Sequence, residues 1–393
     1  MSSDPIYLDH AATTPVRPEV REAMLPFLGG EMFGNPSSGH RFGRAVRAAV
    51  EKARNEVAEA LGVQPYEIVF TSGGTEADNL AVLGASLHAR SQGRPMIAAV
   101  AATEHKAILA AAHEVAHMGG REVLLPVEAN GLLRTSALDE TLAQRPSVVS
   151  AMWVNNETGV IQPVEEIGAR CRNAGVPFHS DLVQAFGKVA LKLADLPIDF
   201  ATVSGHKIGG PKGVGALAIR RGSKLAPLQH GGGQQSGVRP GTENVPGIIG
   251  LGCAAALAMR EQAAELARLD RLRDLLLERL RAHVSDLRVT AESAPRAPHI
   301  LNIQSPGGDG ESILAQLDLA GIAASSGSAC TTGSVEPSHV LTAMAVPRDH
   351  ALSAVRLSLG RETTEAELER VAPEFARAVE KSRRLAAALG RVG

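Results

Sequence analysis

Residues 67–93 read EIVFTSGGTEADNLAVLGASLHARSQG. The first run is short, β-branched and aromatic, as in a strand; Ser72, Gly73 and Gly74 break it; apolar residues then recur at helical spacing until Gly93. A strand that passes through a glycine turn into a helix is half of a βαβ unit. The same texture repeats between Tyr66 and Ile219, where MIAAVAAT, EVLLPVE, SVVSAMWVN, VPFHSD, DFATVSG and GVGALAIR alternate with helix-spaced stretches such as HKAILAAAHEVAHMGG and VEEIGARCRNAG. That alternation predicts an α/β fold with a mainly parallel, doubly wound sheet. Ligands of such sheets bind where strands end. The unusual residues gather there: Thr71 to Thr75, Thr103 to His105, Asn155 to Glu157, Asp181 to Gln184 and Ser204 to Lys207.

After Pro246 the texture changes to IIGLGCAAALAMREQAAELARLDRLRDLLLERLRAHV, a stretch for one long helix or for two broken near Asp270. Beyond it LRVTAE, HILNIQS and AVRLSLG read as strands, and ESILAQLDLAG and EAELERVAPEFARAVEKSRRLAAALG as helices. The expected layout is a large α/β domain over 16–259 and a smaller α+β domain formed by 1–15 and 260–393. The smaller one carries a cysteine loop at about 325–340, SSGSACTTGSVEPSHV, whose small polar residues predict mobility and exposure around Cys330.

A hydrophobic content of 44% over 393 residues suits a globular protein with a large core. A net charge of −2 offers nothing to nucleic acid or an anionic membrane, and 3% aromatics gives few platforms for bases. No secretory signal and no apolar run of spanning length is evident, so a cytoplasmic location is expected. Three scattered cysteines, Cys171, Cys253 and Cys330, make neither a disulfide framework nor a zinc or cluster site.

Several motifs carry chemistry, each beside a plainer reading. In SGHKIGGPKGVGAL, Lys207 follows a strand and opens a glycine-rich loop; it is either a solvated charge or a Schiff-base nucleophile, with Ser204 and His206 as polar company. Asp181 of SDLVQAFGK is a turn residue or the carboxylate that keeps a pyridine nitrogen protonated, with Gln184 placed to bond a ring hydroxyl. Gly74 and Thr75 stand at a helix start suited to phosphate, without the lysine of a P-loop or the spacing of GxGxxG. His105 of TEHKAI is a helix-entry residue or a ring-stacking acid–base group, Asn156 a turn residue or a substrate ligand, and Arg356 of VRLSLG a surface pair or a fork for a substrate carboxylate.

One stretch points to another class. AAHEVAHMGG holds His113, Glu114 and His117 in H-E-x-x-H order, the start of a helical zinc-protease site. With Ile108 at the centre of the apolar face His117 falls on the opposite side, and Val123 stands where a third histidine is needed. A solvated helix face and no metal site is the favoured reading.

Together, YLDHAATTP, GNPSSGHRFG, TSGGTEADN, TEHKAI, VNNETG, SGHKIGGPKG, RPGTENVPG, SSGSACTTG and VRLSLG resemble, almost end to end and in order, a cysteine desulfurase of the class V aminotransferases. SSGSAC with its long loop is similar to the group that serves iron–sulfur cluster assembly. The resemblance implies the aspartate aminotransferase-like fold with a seven-stranded sheet in the large domain, pyridoxal 5'-phosphate as cofactor, L-cysteine as substrate, a homodimer, and a scaffold or other acceptor protein for the sulfur. It implies Lys207 as Schiff-base lysine, Asp181 as pyridinium partner, Gln184 on the ring hydroxyl and His105 as stacking acid–base residue. Gly74, Thr75, Ser204 and His206 would hold phosphate, Thr242 would reach the neighbouring subunit's site, and Asn35, Asn156 and Arg356 would hold the substrate carboxylate. Cys330 would take the sulfur as a persulfide. Two departures stand out: the tail RRLAAALGRVG lacks the apolar, aromatic docking sequence of some relatives, and Gly209 occupies a position where relatives often carry tyrosine. Selenocysteine lyase and thiol-free aminotransferases or lyases are the rivals within the fold, and a thiol-free enzyme would have no need of Cys330.

Overall fold

The computed structural model describes residues 4–190, 192–326 and 336–388. A seven-stranded sheet runs in the order Ile68–Thr71, Gly215–Ile219, Phe200–Ser204, Phe178–Asp181, Val148–Ser150, Ile97–Ala101, Arg121–Leu125. Only Gly215–Ile219 runs against its neighbours; the other pairings are parallel. The strands inside the sheet are almost wholly buried, as a sheet covered on both faces requires, while the edge strand Arg121–Leu125 keeps Arg121 and Leu124 exposed. Helix Gly74–Ser91 packs its small residues Ala77, Ala81 and Ala85 on one face, in a cluster with Val69, Val100 and Leu217. Helix Arg41–Leu61 packs Val46, Val50 and Val57 against the other core with Phe178 and Phe186. That helix ends where Gly62 turns left-handed at φ 71° and its N–H bonds back to Glu59, a C-cap that a side chain would strain.

The segment after Pro246 is a single helix, Val245–His283, continuous through Asp270. No glycine or proline interrupts it there, Arg273 bonds both Asp270 (2.7 Å) and Asp274 (2.8 Å), and the buried stripe Leu269, Leu272, Leu276, Leu280 keeps one face past Asp270, which decides for the one-helix alternative. Ile248, Leu251 and Ala255 of its first half belong to the core of the large sheet, and the leucine stripe to a second core. One rigid rod, about 58 Å long at 1.5 Å per residue for its 39 residues, therefore serves both.

The second core is built on Ile300–Gln304, paired antiparallel with Ala354–Ser358 and with a strand reduced to Arg288–Val289. Helix Glu365–Ala388 covers it with Leu368, Val371, Phe375 and Val379. The N-terminal strand Ile6–Tyr7 pairs with Ile322–Ala323, and Ile6 and Leu8 are buried in this same core. The chain thus returns residues 9–14 to the region between the two cores, beside Lys207. Among the described residues no helix is long and apolar enough to cross a membrane.

Candidate active site

A cavity of about 320 Å³ lies at the carboxyl ends of the central strands, closed on one side by Ala11 and Ala12 of the N-terminal segment and by Arg356 of strand Ala354–Ser358. Ten of the residues singled out from the sequence line it: Gly74, Thr75, His105, Asn156, Asp181, Gln184, Ser204, His206, Lys207 and Arg356. Asn35 and Thr242 do not line it and are exposed: Asn35 folds its Oδ1 back onto the Ser37 N–H (2.8 Å), and Thr242 lies in the loop before the long helix. Cys330 falls outside the described residues. The described parts of its loop do reach the wall, through Ser325 and His339.

Lys207 ends the single turn Gly205–Lys207 that follows strand Phe200–Ser204. Its Nζ donates to the carbonyls of Ala11 and Ala12, both at 2.6 Å. Burial, then the Arg356 cation, pushes its pKa down to about 8, against the opposing pull of Asp181 and Asp9. A lowered pKa enlarges the fraction of free amine, the form a nucleophilic lysine requires.

Asp181 ends the next strand and accepts the Val183 N–H on Oδ1 at 2.7 Å. Burial raises its pKa, opposed by that N–H and by Lys207. Two further buried carboxyls, unforeseen from the sequence, sit near it. Glu104 is pushed up to about 8 by burial and by the Asp181 charge, and Asp78 is raised well above the usual carboxylate range by the same two causes. Glu104 Oε1 accepts from Ser150 Oγ (3.1 Å) and the Met152 N–H (2.8 Å), while Glu104 Oε2 and Asp78 Oδ1 have no hydrogen-bond partner. Three carboxyls in one dry place do not ionise together, and the proton-binding tendencies leave the negative charge on Asp181. His179 beneath them is held neutral by burial, with a pKa of about 3.

His105 caps helix Lys106–His117, its Nδ1 accepting the Ala107 N–H at 3.2 Å. Burial, with Lys207, His339 and Lys106 nearby, lowers its pKa, so at neutral pH it is a neutral ring with the proton on Nε2. His206 Nδ1 meets Thr13 Oγ1 at 3.1 Å, and burial lowers its pKa to about 4. Gln184 donates to the Ala11 carbonyl. Arg356 is buried, donating to Asp9 Oδ1 (2.7 Å) and to the Asn156 carbonyl (2.8 Å), with its Nε unpartnered. Asn156 thereby contributes a backbone oxygen to the guanidinium.

The donor set suits pyridoxal phosphate. The N-terminus of the 18-residue helix Gly74–Ser91 opens on the cavity beside the Ser204 and Thr75 hydroxyls, a place for the phosphate. A Cβ at Gly74 would lie 3.1 Å from Val183 Cγ2, so a side chain there would crowd the cradle. A buried carboxylate, an amide and an amine stand apart along the same cavity, as a ring nitrogen, a hydroxyl and an aldehyde would need. The H-E-x-x-H pair behaves otherwise: His113 and His117 are well exposed and lie against Glu122 (3.4 Å) and Glu114 (3.5 Å). Among the described residues no three histidine, cysteine or acidic side chains converge on a metal.

The family model Aminotransferase class-V matches residues 6–371. The chain is 43% identical over 378 residues to the cysteine desulfurase IscS of Dictyoglomus turgidum, covering 96% of this chain and 95% of that one. Among solved structures it resembles a NifS-like protein (34% identity, TM-score 0.87, covering 96% and 98% of the two chains). It also resembles SspA in complex with cysteine (32% identity, TM-score 0.79, covering 90% and 98%). The chain belongs to the class-V aminotransferase family, among its cysteine desulfurases.

Proposed function

We propose that the protein is an L-cysteine desulfurase that uses pyridoxal phosphate and moves the sulfur of L-cysteine onto Cys330. The observation that carries the reading is one cavity holding the Lys207 amine, the buried Asp181 and the neutral His105, with Ser325 and His339, described residues to either side of Cys330, in its wall. One structural neighbour, SspA, is in complex with cysteine, which supports a thiol amino acid as substrate.

When bound, the cofactor supplies an electron sink for the carbanion formed at the substrate α-carbon. Asp181 would hold the ring nitrogen, Gln184 the ring hydroxyl, and Thr75, Ser204 and His206 the phosphate. Lys207 Nζ takes the α-proton, and its pKa of about 8 leaves more free amine at a given pH than an ordinary lysine has. The Cys330 thiolate attacks the substrate sulfur: the S–S bond forms as the Cβ–S bond breaks, and two protons return to carbon, one on the β-carbon and one on the α-carbon, supplied by Lys207 Nζ–H and His105 Nε2–H; one is the former α-proton and the other replaces the proton Cys330 gave up as a thiol. The balance is one thiol and L-cysteine giving one persulfide and L-alanine.

Arg356 would bind the substrate carboxylate, sharing its guanidinium with Asp9. Changing it to lysine keeps the charge and loses the fork, so Arg356→Lys is expected to raise KM for L-cysteine about ten- to a hundredfold with kcat within a few-fold of wild type. Steady-state alanine formation measures this, and an unchanged KM removes Arg356 from the binding site.

The persulfide would pass to an acceptor protein serving cluster assembly or tRNA thiolation, in the cytoplasm. A homodimer is part of the reading: Thr242 is exposed and does not line this cavity, which leaves it free to serve a second subunit's site. Leu25, Leu28, Phe33 and Phe42 leave apolar surface uncovered, and the Phe33 and Phe42 rings touch at 5.3 Å. The test of the whole is sulfide release by the purified protein from L-cysteine under a thiol reductant, with alanine formed. Absence of both products overturns it.

A further inference from the structure

Three groups converge on the Gln184 carboxamide: the Ala11 carbonyl, which belongs to the cavity wall, and the His299 and Lys188 side chains, which do not line it. His299 Nε2 lies 3.2 Å and Lys188 Nζ 3.4 Å from Gln184 Oε1, while Gln184 Nε2 donates to the Ala11 carbonyl at 2.8 Å. The arrangement fixes which way the amide faces. A carbonyl only accepts, so the amide nitrogen must face Ala11 and the oxygen is left to face Lys188 and His299; the flipped amide would set its oxygen against the Ala11 carbonyl oxygen. Both lone pairs of Oε1 are then used. Of the two N–H bonds on Nε2 one is on Ala11, whose oxygen also receives Lys207 Nζ at 2.6 Å, and the other is left for the cavity that Gln184 lines.

Neither partner is an ordinary surface group. His299 is fully buried and its Nδ1 has no partner. Burial, followed by the nearby Lys188, Arg356, His10 and Lys207, holds it far below the usual imidazole range, so it is neutral and its single proton sits on Nε2. Lys188 is pushed down to about 7, chiefly by burial and then by the Lys207 and Arg356 cations. Both cost stability to bury, and both aim at one amide oxygen.

We propose that Lys188 and His299 are positioning residues that lock the Gln184 carboxamide so that it presents an N–H, and never its oxygen, to the ring hydroxyl of the cofactor. This rests on the pyridoxal phosphate reading. A donor on the ring oxygen stabilises its deprotonated form, so freeing the amide to rotate raises the pH at which the cofactor's visible absorption changes.

The experiment is a pH titration of visible absorbance in the holoenzyme, for His299→Leu, His299→Gln and Lys188→Met, each alone and combined with Gln184→Ala. His299→Leu and Lys188→Met are expected to move the midpoint up by about half to one pH unit, the range one net hydrogen bond covers. His299→Gln, which restores a donor, stays near wild type. With Gln184→Ala present, His299→Leu and Lys188→Met add no further shift. Midpoints equal to wild type overturn the proposal. So do shifts that persist at full size without Gln184, since they mean direct electrostatics or general loosening. Lys188 is less deeply buried than His299, so Lys188→Met carries the test if His299→Leu fails to fold. A wild-type protein with no visible band overturns the cofactor reading itself, a result distinct from either.

Discussion

Lys207→Ala is expected to lower sulfide release from L-cysteine by at least about a thousandfold, because one change removes both the nucleophile that holds the cofactor and the base that takes the α-proton, and a positioned base alone contributes about 10²–10⁴-fold. The fold should survive it. Lys207 stands in a loop turn after its strand, and what it bonds are two backbone carbonyls of the N-terminal segment, whose own hold on the protein comes from Thr14 Oγ1 donating to the His206 carbonyl and from Ile6 and Leu8 in the second core. Circular dichroism should therefore match wild type while the covalently held chromophore is lost. The ionisation of Lys207 adds a second arm. Its pKa is lowered to about 8, so the free amine is scarce below that pH and dominant above it; the rate at which apo-protein takes up pyridoxal phosphate should rise with pH and level off past about 8. A flat profile, or a variant keeping a tenth of wild-type activity, removes Lys207 from this role.

What could be seen in the sequence was set by local pattern. Strand-ending positions such as Ser204 and Asp181 were legible because a buried strand must end in a turn, and a polar residue there faces a crevice. Lys207 was legible by its place just beyond such an end. Asp78 and Glu104 were not: one sits inside a helix, the other within a TEH tripeptide, and only packing of that helix against the sheet shows that both are buried beside Asp181. The Lys207 carbonyl partners lie 195 and 196 residues away in sequence, and the Arg356 partner Asp9 lies 347 away, separations that no periodicity encodes. The H-E-x-x-H run illustrates the opposite case, a strong local pattern on a helix whose buried face, Ile108, Ala111, Ala112 and Val115, turns both histidines outward. The choice between one helix and two after Pro246 depended on a leucine stripe that finds its partners only in the second core.

Cys330→Ala is expected to abolish reductant-dependent sulfide release, leaving less than about one part in a hundred, while cofactor absorbance and melting temperature stay at wild-type values. The case rests on the chain to either side of Cys330. Before it, Ser325 is bridged to Arg356, with Ser325 N–H on the Arg356 carbonyl (3.2 Å) and Arg356 N–H on the Ser325 carbonyl (2.6 Å). After it, Ser338 Oγ bonds the buried Glu157 carboxyl, and His339 Nε2 lies 2.9 Å from the Glu104 carbonyl. Cys330 is five residues beyond Ser325 and nine before His339 in the sequence, and both of those described residues line the cavity. The other two thiols offer no substitute. Cys171 is buried in the core with its pKa pushed up to about 12 by burial and then by Asp199, and Cys253 is half-buried on the long helix with its pKa raised by burial and by Glu56 and Glu19; neither lines the cavity. A raised pKa leaves these thiols still less of the thiolate, the form that attacks sulfur. Removing Cys330 thus leaves a site able to bind L-cysteine and take its α-proton, with no acceptor for the sulfur, so α-proton exchange with deuterated solvent should persist while sulfide does not appear. Sulfide released at more than a tenth of the wild-type rate would mean that the C–S bond breaks without a protein thiol, and would move the protein to the thiol-independent lyases of its family.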